Sequence, residues 1–388
     1  MIKGTNKFVL ETFKLPIMVD IHSFSNIIGL NPSLVFVLSQ NTTKYYKKHI
    51  IPKRDGSTRL IFEPSYSLKL VQRWLLEEIL YNIPVSNYTF GFMKGSSNPL
   101  RLNAAMHKDN IFIFKMDMKN FFPSIKKDKI YFLFNEVGYN PTMANILANL
   151  CTLDGMLPQG AVTSPCLANL VCRHLDKRIS KYCEKREITY TRYADDLTFS
   201  CNSKAHLKSI FPVIKTIINS EGFELNEKKT RFLTPKVRKT VTGITLSGGE
   251  LKAPKEMKQK VRAMIHKMIV TGDYTKASKV KGYIAYISSI ESEYLFKIKS
   301  YIQSFEKKPI IIHKECVDAF NSNKLFKDLT DFTLLKSSDF VEFSEEFSFD
   351  EYNYSERIDY LEKLGIKTEK EPHYISEDNL KSSDEFPF

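Results

Sequence analysis

The chain of 388 residues carries 57 Lys and Arg against 44 Asp and Glu, a formal charge of +13, so it is too long for one small core and its charge favours a polyanionic partner. Its six cysteines, Cys151, Cys166, Cys172, Cys183, Cys201 and Cys316, show no CxxC pair and no framework spacing, which argues against a disulfide scaffold or zinc and for core thiols in a reducing cytosol. No signal-like apolar region with a cleavage site opens the chain and no run approaches the roughly 18 apolar residues of a membrane span, so a soluble, cytoplasmic protein is expected.

Residues 20–47 read as short helices, with Ser23 and Asn31-Pro32 as starts or breaks. A hairpin-like arm follows from Ile50 to Phe62, turning at Asp55-Gly56 and projecting Lys53, Arg54 and Arg59. Leu68, Val71, Leu75 and Ile79 recur at helical period, predicting a scaffold helix over 68–83. A Gly-rich loop, 91–97, precedes Asn103-Ala104-Ala105-Met106-His107.

The apolar run Ile111 to Met116 ends in Asp117, as a buried strand delivering one carboxylate would. Residues 126–150 read as helical, Asp154-Gly155 as a tight turn, and Ser164-Pro165 as the start of a helix with Leu167, Leu170, Val171, Leu175, Ile179 and Tyr182 on its apolar side. Asp154 and Asp176 are read as structural. Two β-prone runs, 188–192 and 197–201, flank Tyr193-Ala194-Asp195-Asp196, which places adjacent carboxylates at a hairpin tip. Two ionised carboxylates repel, and a divalent cation is what most easily keeps them together. Asp117, Asp195 and Asp196 would gather hard oxygen ligands that suit Mg2+, and two such ions clamp an in-line phosphoryl transfer. Nucleotidyl transfer is the expected chemistry.

After Val241-Thr242-Gly243 and a turn at Ser247-Gly248-Gly249, a helical stretch places Met257, Val261, Met264, Ile265 and Met268 on one side and Lys255, Lys258, Arg262 and Lys267 among the polar residues. Tyr283, Tyr286 and Phe296 are expected to pack. From Asp339 to Phe388 there are 15 acidic and 5 basic side chains, so the remainder carries +23, and the interleaved aromatics argue against a wholly disordered tail.

These residues resemble a known family. The tract 188–200, the Asp117 strand and Leu157-Pro158-Gln159-Gly160-Ala161-Val162-Thr163-Ser164-Pro165 are similar to the palm motifs of reverse transcriptases. The Asn103 to His107 and Val241 to Gly243 tracts resemble the NAxxH and VTG elements of the bacterial retron reverse transcriptases, and the likeness runs from about Phe24 to about Phe305. Val162 departs from the proline common at its place.

The resemblance implies an α+β right-hand polymerase. N-terminal helices and fingers would occupy 1–105, a palm 106–245 with an inserted fingers segment at about 126–186, a helical thumb 246–310 and an acidic aromatic extension 311–388. It implies that Lys53 and Arg59 grip the incoming triphosphate, that Gln159 and Gly160 lie at the template base and new pair, and that Phe122 sits under the incoming sugar and excludes a 2′-hydroxyl. Asp117 and Asp195 would bridge both Mg2+ ions, with Asp196 beside them and Met118 contributing its backbone carbonyl. Lys229 resembles the lysine of the next palm motif, where it would help protonate pyrophosphate; Lys255, Lys258, Arg262 and Lys267 would track phosphates. His107 is expected to hold fingers to palm.

The implied function is RNA-directed DNA synthesis on a cognate structured non-coding RNA. It would be primed from the 2′-hydroxyl of an internal guanosine, give a branched RNA–DNA hybrid (msDNA), consume dNTPs and operate with an effector protein in anti-phage defence. A reverse transcriptase of another defence or intron class, and a non-catalytic RNA-binding scaffold, are the alternatives.

Overall fold

The computed structural model describes residues 4–52, 56–95, 98–273 and 275–305; Lys53, Cys316 and the expected 311–388 extension lie outside them. Short helices open the chain: α1 (Lys7–Thr12), α2 (Ile21–Ile28) and α3 (Pro32–Gln40). Asp20 and Ser23 form a reciprocal capping box on α2, and Gly29 ends it in a left-handed conformation. Asn31 caps α3, whose first residue is Pro32. Phe24, Val35 and Leu38 enter the main core.

Strands β1 (Tyr46–Pro52) and β2 (Thr58–Pro64) pair antiparallel from Tyr46↔Pro64 to Pro52↔Thr58. Helix α4 (Tyr66–Glu78) buries Leu68, Val71 and Leu75 as its period predicts, but it stops at Glu78 and a 3-10 turn covers Leu80–Asn82. Buried Gln72 donates to Tyr46 Oη and the Leu150 carbonyl, each at 2.8 Å, and so ties the hairpin base to a later helix. Helix α5 (Pro99–Ala105) follows, capped by Asn98.

Strand β3 (Phe112–Lys119) is the middle of the larger sheet, and a short helix, α6 (Phe121–Ser124), begins two residues after it. The expected helix over 126–150 is two, α7 (Lys127–Glu136) and α8 (Pro141–Cys151). They divide because Gly138 takes φ +110° and Asn140-Pro141 restarts the helix, with Asn140 as its cap. Helix α9 (Ser164–Val171) begins at Ser164, one residue earlier than expected, with Thr163 at the cap position; the Ser164 hydroxyl donates to the Pro158 carbonyl at 2.6 Å. A break at Cys172 separates α10 (Arg173–Glu184), which buries Leu175, Asp176, Ile179, Ser180 and Cys183.

Strands β4 (Thr189–Tyr193) and β5 (Asp196–Cys201) lead to α11 (Lys204–Ser209), α12 (Phe211–Ser220), β6 (Glu224–Leu225) and β7 (Arg231–Leu233). The five-stranded sheet runs β4-β5-β3-β6, with β7 also on β3, and every pair is antiparallel. Strands β8 (Lys239–Val241), β9 (Ile244–Ser247) and β10 (Glu250–Lys252) make a separate three-stranded sheet, so the expected boundary at 245/246 falls inside β9. Helices α13 (Lys255–Thr271), α14 (Ala277–Ile290) and α15 (Tyr294–Gln303) end the described chain. Tyr283 and Tyr286 are buried, whereas Phe296 is 74% exposed and does not pack as expected.

The five described cysteines are buried free thiols, and burial pushes Cys151, Cys166, Cys172 and Cys183 up to about 12. Among the described residues no single helix is long and apolar enough to cross a membrane.

Candidate active site

Asp117 and Asp196 are direct cross-strand partners on β3 and β5, so their side chains leave the same face of the sheet. Asp195 lies in the two-residue connection after Tyr193, where Ala194 has φ +54°. The tip is locked onto β3, because the Met118 N–H donates to the Asp195 carbonyl at 3.0 Å. The Asn226 N–H likewise donates to the Asp117 carbonyl at 2.7 Å. The segment that follows β6 in sequence is thereby joined to the same corner.

Burial first, then the charges of Asp117 and Asp196, push the Asp195 carboxyl up to about 6. Lysines supply counter-charge: Lys229 Nζ is 3.1 Å from Asp117 Oδ1, and Lys115 Nζ is 3.7 Å from Asp196 Oδ2. Burial opposes the charge of Lys229, but its bond to Asp117 and the neighbouring carboxylates prevail, so its ammonium titrates above the usual lysine range. Among the described residues no three His, Cys, Asp or Glu side chains close round one ion. The donor set nevertheless fits a hard divalent cation, being carboxylate oxygen on a partly buried corner where Asp117 and Asp196 raise the proton affinity of Asp195.

Beneath the tip lies a polar network. Arg192 of β4 meets Asp176 of α10 through Nε to Oδ1 at 2.8 Å and Nη2 to Oδ2 at 2.7 Å. Tyr190 Oη donates to Asp176 Oδ1 at 2.8 Å, and Arg192 Nη1 donates to Asn169 Oδ1 at 3.0 Å. Asn169 Nδ2 donates in turn to the Gly91 carbonyl at 2.7 Å, and Thr89 Oγ1 to Asn169 Oδ1 at 3.1 Å. The segment around Thr89 runs beside β4, where Arg192 N donates to the Tyr88 carbonyl and Phe90 N to the Arg192 carbonyl. A Cβ on Gly91 would stand 3.0 Å from Ala194 N, a tight contact that the hairpin would have to relieve by a few tenths of an ångström.

Sequence reasoning missed Arg192, Asn169, Gly91 and Lys115 as parts of the site. A signal for Asp176 existed: Asp176, Ser180 and Cys183 recur at helical spacing beside the apolar series, which marks a buried flank rather than a basic one.

His107 is buried with Nδ1 at 2.6 Å from Ser200 Oγ and Nε2 at 2.7 Å from Thr191 Oγ1. Burial holds its imidazolium form down, at about 3, so the ring is neutral and one nitrogen donates while the other accepts. Asn103 is buried on the preceding helix α5. Thr242 and Gly243 form the β8–β9 turn, both with positive φ, and Thr242 Oγ1 donates to the Leu100 carbonyl at 3.1 Å. Both signature tracts therefore meet at α5, which is tied on one side to the β4–β5 hairpin and on the other to the small sheet whose turn begins after Val241.

Phe121 is the core member of its aromatic pair, stacked 5.8 Å from Phe223. Phe122 is partly buried and faces Phe92 at 6.3 Å. Arg59 is exposed on β2 opposite Ile51. The Gln159 carbonyl accepts from Phe62 N at 2.8 Å, and a Cβ on Gly160, at φ +116°, would meet Ile61 Cγ2 and the Phe62 carbonyl at 2.8 Å. The close approach that requires glycine at 160 is thus to the chain's own β2. On α13, Lys255, Arg262 and Lys267 are exposed, with Arg262 over the Tyr301 ring and Lys267 Nζ 3.4 Å from Asp273 Oδ2, and the less exposed Lys258 Nζ binds Glu291 Oε1 at 2.8 Å.

A family model described as reverse transcriptase (RNA-dependent DNA polymerase) matches residues 51–281. The retron Ec86 reverse transcriptase of Escherichia coli is 34% identical over 305 residues, covering 78% of this chain and 94% of that protein. The retron Mx65 reverse transcriptase of Myxococcus xanthus is 33% identical, covering 64% and 62% respectively. The retron Ec73 reverse transcriptase of Escherichia coli is 31% identical, covering 67% and 88%. Among solved structures, telomerase from Candida albicans with a fragment of telomeric RNA aligns at a TM-score of 0.44 and 11% identity, covering 78% of this chain and 61% of that one.

Proposed function

The chain belongs to the bacterial retron reverse transcriptases and is an RNA-directed DNA polymerase, and on that premise we propose that the corner of Asp117, Asp195 and Asp196 adds deoxynucleotides by two-metal nucleotidyl transfer. The observation that carries this reading is the register Asp117↔Asp196 with Asp195 in the adjoining turn. Asp117 and Asp195 would hold two Mg2+ ions, with Asp196 and the Met118 carbonyl completing the set. When bound, such ions lower the pKa of the attacking hydroxyl and stabilise the leaving oxygen.

The chain's own residues do the rest. The hairpin tip, fixed by Met118 N–H, sets where the carboxylates stand. Lys229, paired with Asp117, would give a proton to a departing phosphate, and the neighbouring carboxylates that raise its pKa keep it protonated. Phe122, backed by the core residue Phe121 at 5.4 Å, presents a ring where a 2′-hydroxyl would clash. Lys53, Arg59 and Gln159 serve the nucleotide, and exposed cations of α13 follow phosphates.

In this reading the β1–β2 arm and N-terminal helices act as fingers, the five-stranded sheet as palm, and α13 to α15 as thumb. The template is a cognate non-coding RNA primed from an internal guanosine 2′-hydroxyl, giving msDNA within a cytoplasmic defence system that includes an effector protein.

The test is primer extension with Asp195→Asn. Extension should be abolished with RNA binding kept, and a branched RNA–DNA molecule should co-purify with the wild-type protein from cells that carry its neighbouring non-coding RNA. Extension by the variant would remove the catalytic assignment; an unbranched product would move the chain to another priming mode.

A further inference from the structure

Phe92 is a bulky residue with φ +58°, a conformation such side chains rarely adopt, and it is 41% exposed, so neither backbone preference nor core burial accounts for its placement. The loop that carries it is tied both to α9 and to the hairpin strand β4. The Gly91 carbonyl accepts from Asn169 Nδ2 at 2.7 Å, and Phe90 N donates to the Arg192 carbonyl at 2.8 Å. Gly91 packs close to the hairpin, where a Cβ would stand 3.0 Å from Ala194 N. Held this way, the Phe92 ring stands 6.3 Å from Tyr193, the residue before the catalytic turn, and 6.3 Å from Phe122.

Phe122 thus neighbours two rings of different character. Phe121, at 5.4 Å, is anchored in the core against Phe223. Phe92, itself partly exposed, is anchored through the hairpin-bound loop. We infer that Phe92 is a positioning residue for sugar selection: its ring holds Phe122 in the orientation that excludes a 2′-hydroxyl and registers that orientation to the Tyr193–Asp196 hairpin. The inference rests on Phe122 being the sugar gate. A ring that served only as apolar cover would support deoxy- and ribonucleotide incorporation equally. A ring that holds the gate shut affects their ratio, because the space it denies is needed by only one of the two.

The experiment measures single-nucleotide incorporation of a dNTP and the matching rNTP by the full chain with magnesium and a primed RNA template. Asn tolerates positive φ, so Phe92→Asn removes the ring with little backbone cost. Phe92→Asn should lower the deoxy-over-ribo preference on the order of tenfold, mainly by admitting the ribonucleotide. Phe92→Tyr should retain the preference. Combined with Phe122→Ala, Phe92→Asn should lower it no further than Phe122→Ala alone. If Phe122→Ala relaxes selection while Phe92→Asn leaves the ratio unchanged, or slows both nucleotides equally, the positioning role is overturned and the gate stands. If Phe122→Ala leaves the ratio unchanged, the gate itself falls.

Discussion

Arg192 and Asp176 form a two-pronged ion pair in which neither side chain is exposed, at 2.8 and 2.7 Å, joining α10 to the strand that ends at the Ala194-Asp195 turn. Removing one member leaves an uncompensated buried charge. Asp176→Leu should therefore destabilise the protein by about 3–5 kcal/mol. Replacing both, with Arg192→Met added, should recover most of that loss, since hydrophobic replacement of a buried pair is often neutral. Urea unfolding of the single and double variants measures both. A double variant as unstable as the single would mean that the missing bonds to Tyr190 and Asn169 dominate.

His107 gives a stability signature in acid. Its folded pKa is about 3, below the ordinary 6.5, so the unfolded chain binds the extra proton and stability is lost as pH falls through 6.5 toward 3. The loss from this group is about 2 kcal/mol at about pH 5. His107→Gln, with no titrating ring, should show a shallower fall in melting temperature over that window. A slope equal to that of the wild type would place the acid sensitivity elsewhere.

The carboxylate corner was the most readable part of the sequence, because an apolar run ending in Asp117 and a hairpin displaying Asp195-Asp196 need only local pairing rules to be placed. The three carboxylates do come to one corner. What supports them was hidden. Arg192 alternates correctly for a strand, yet its partner Asp176 is on α10, which reads as a basic helix until the buried Ser180 and Cys183 are set beside it. The break between α7 and α8 is written locally, in Gly138 and the Asn140-Pro141 cap, and is overrun when 126–150 is read as one period, whereas the break at Cys172 carries no such local mark. Phe296 misled because an aromatic at helical spacing carries no record of whether a neighbour exists to cover it.

Asp195 is held against its preference. Its folded pKa near 6 exceeds the ordinary 3.8, so its charged form destabilises the metal-free protein above about pH 6 and the penalty fades as pH falls through that value. Asp195→Asn should abolish extension yet raise stability at neutral pH without divalent ions, on the order of 2 kcal/mol. Magnesium should stabilise the wild type more than the variant. Melting curves with and without the ion test both effects, and an equal magnesium response in the two proteins would count against Asp195 as a ligand.

Gly160 seats the β1–β2 arm. An alanine there would meet Ile61 and Phe62 atoms at 2.8 Å and would have to adopt φ +116°. The cost should be about 1–3 kcal/mol from overpacking. Because Phe62 N bonds the neighbouring Gln159 carbonyl, the strain should shift the arm relative to the sheet and raise KM for dNTP more than it lowers kcat. Steady-state extension kinetics decide this; an unchanged KM would show that the arm's seat is independent of nucleotide binding.

The cations of α13 should divide into two classes. Lys255 and Arg262 are seven residues apart and share a stripe, whereas Lys267 lies five residues beyond Arg262 and points about 140° away. Lys258 is engaged with Glu291, which also accepts from Ala253 N at 2.7 Å. If the stripe tracks phosphates, replacing Lys255 and Arg262 by alanine should reduce the slope of log affinity for RNA against log salt by about 2, since each of the two cations would otherwise neutralise one phosphate. Lys258→Ala should instead leave the slope nearly intact and lower stability by about 1–3 kcal/mol, because Glu291 is then without its charged partner. Binding titrations over a salt series separate the two. Equal slopes for the wild type and the double variant would mean that this face of α13 looks away from the nucleic acid.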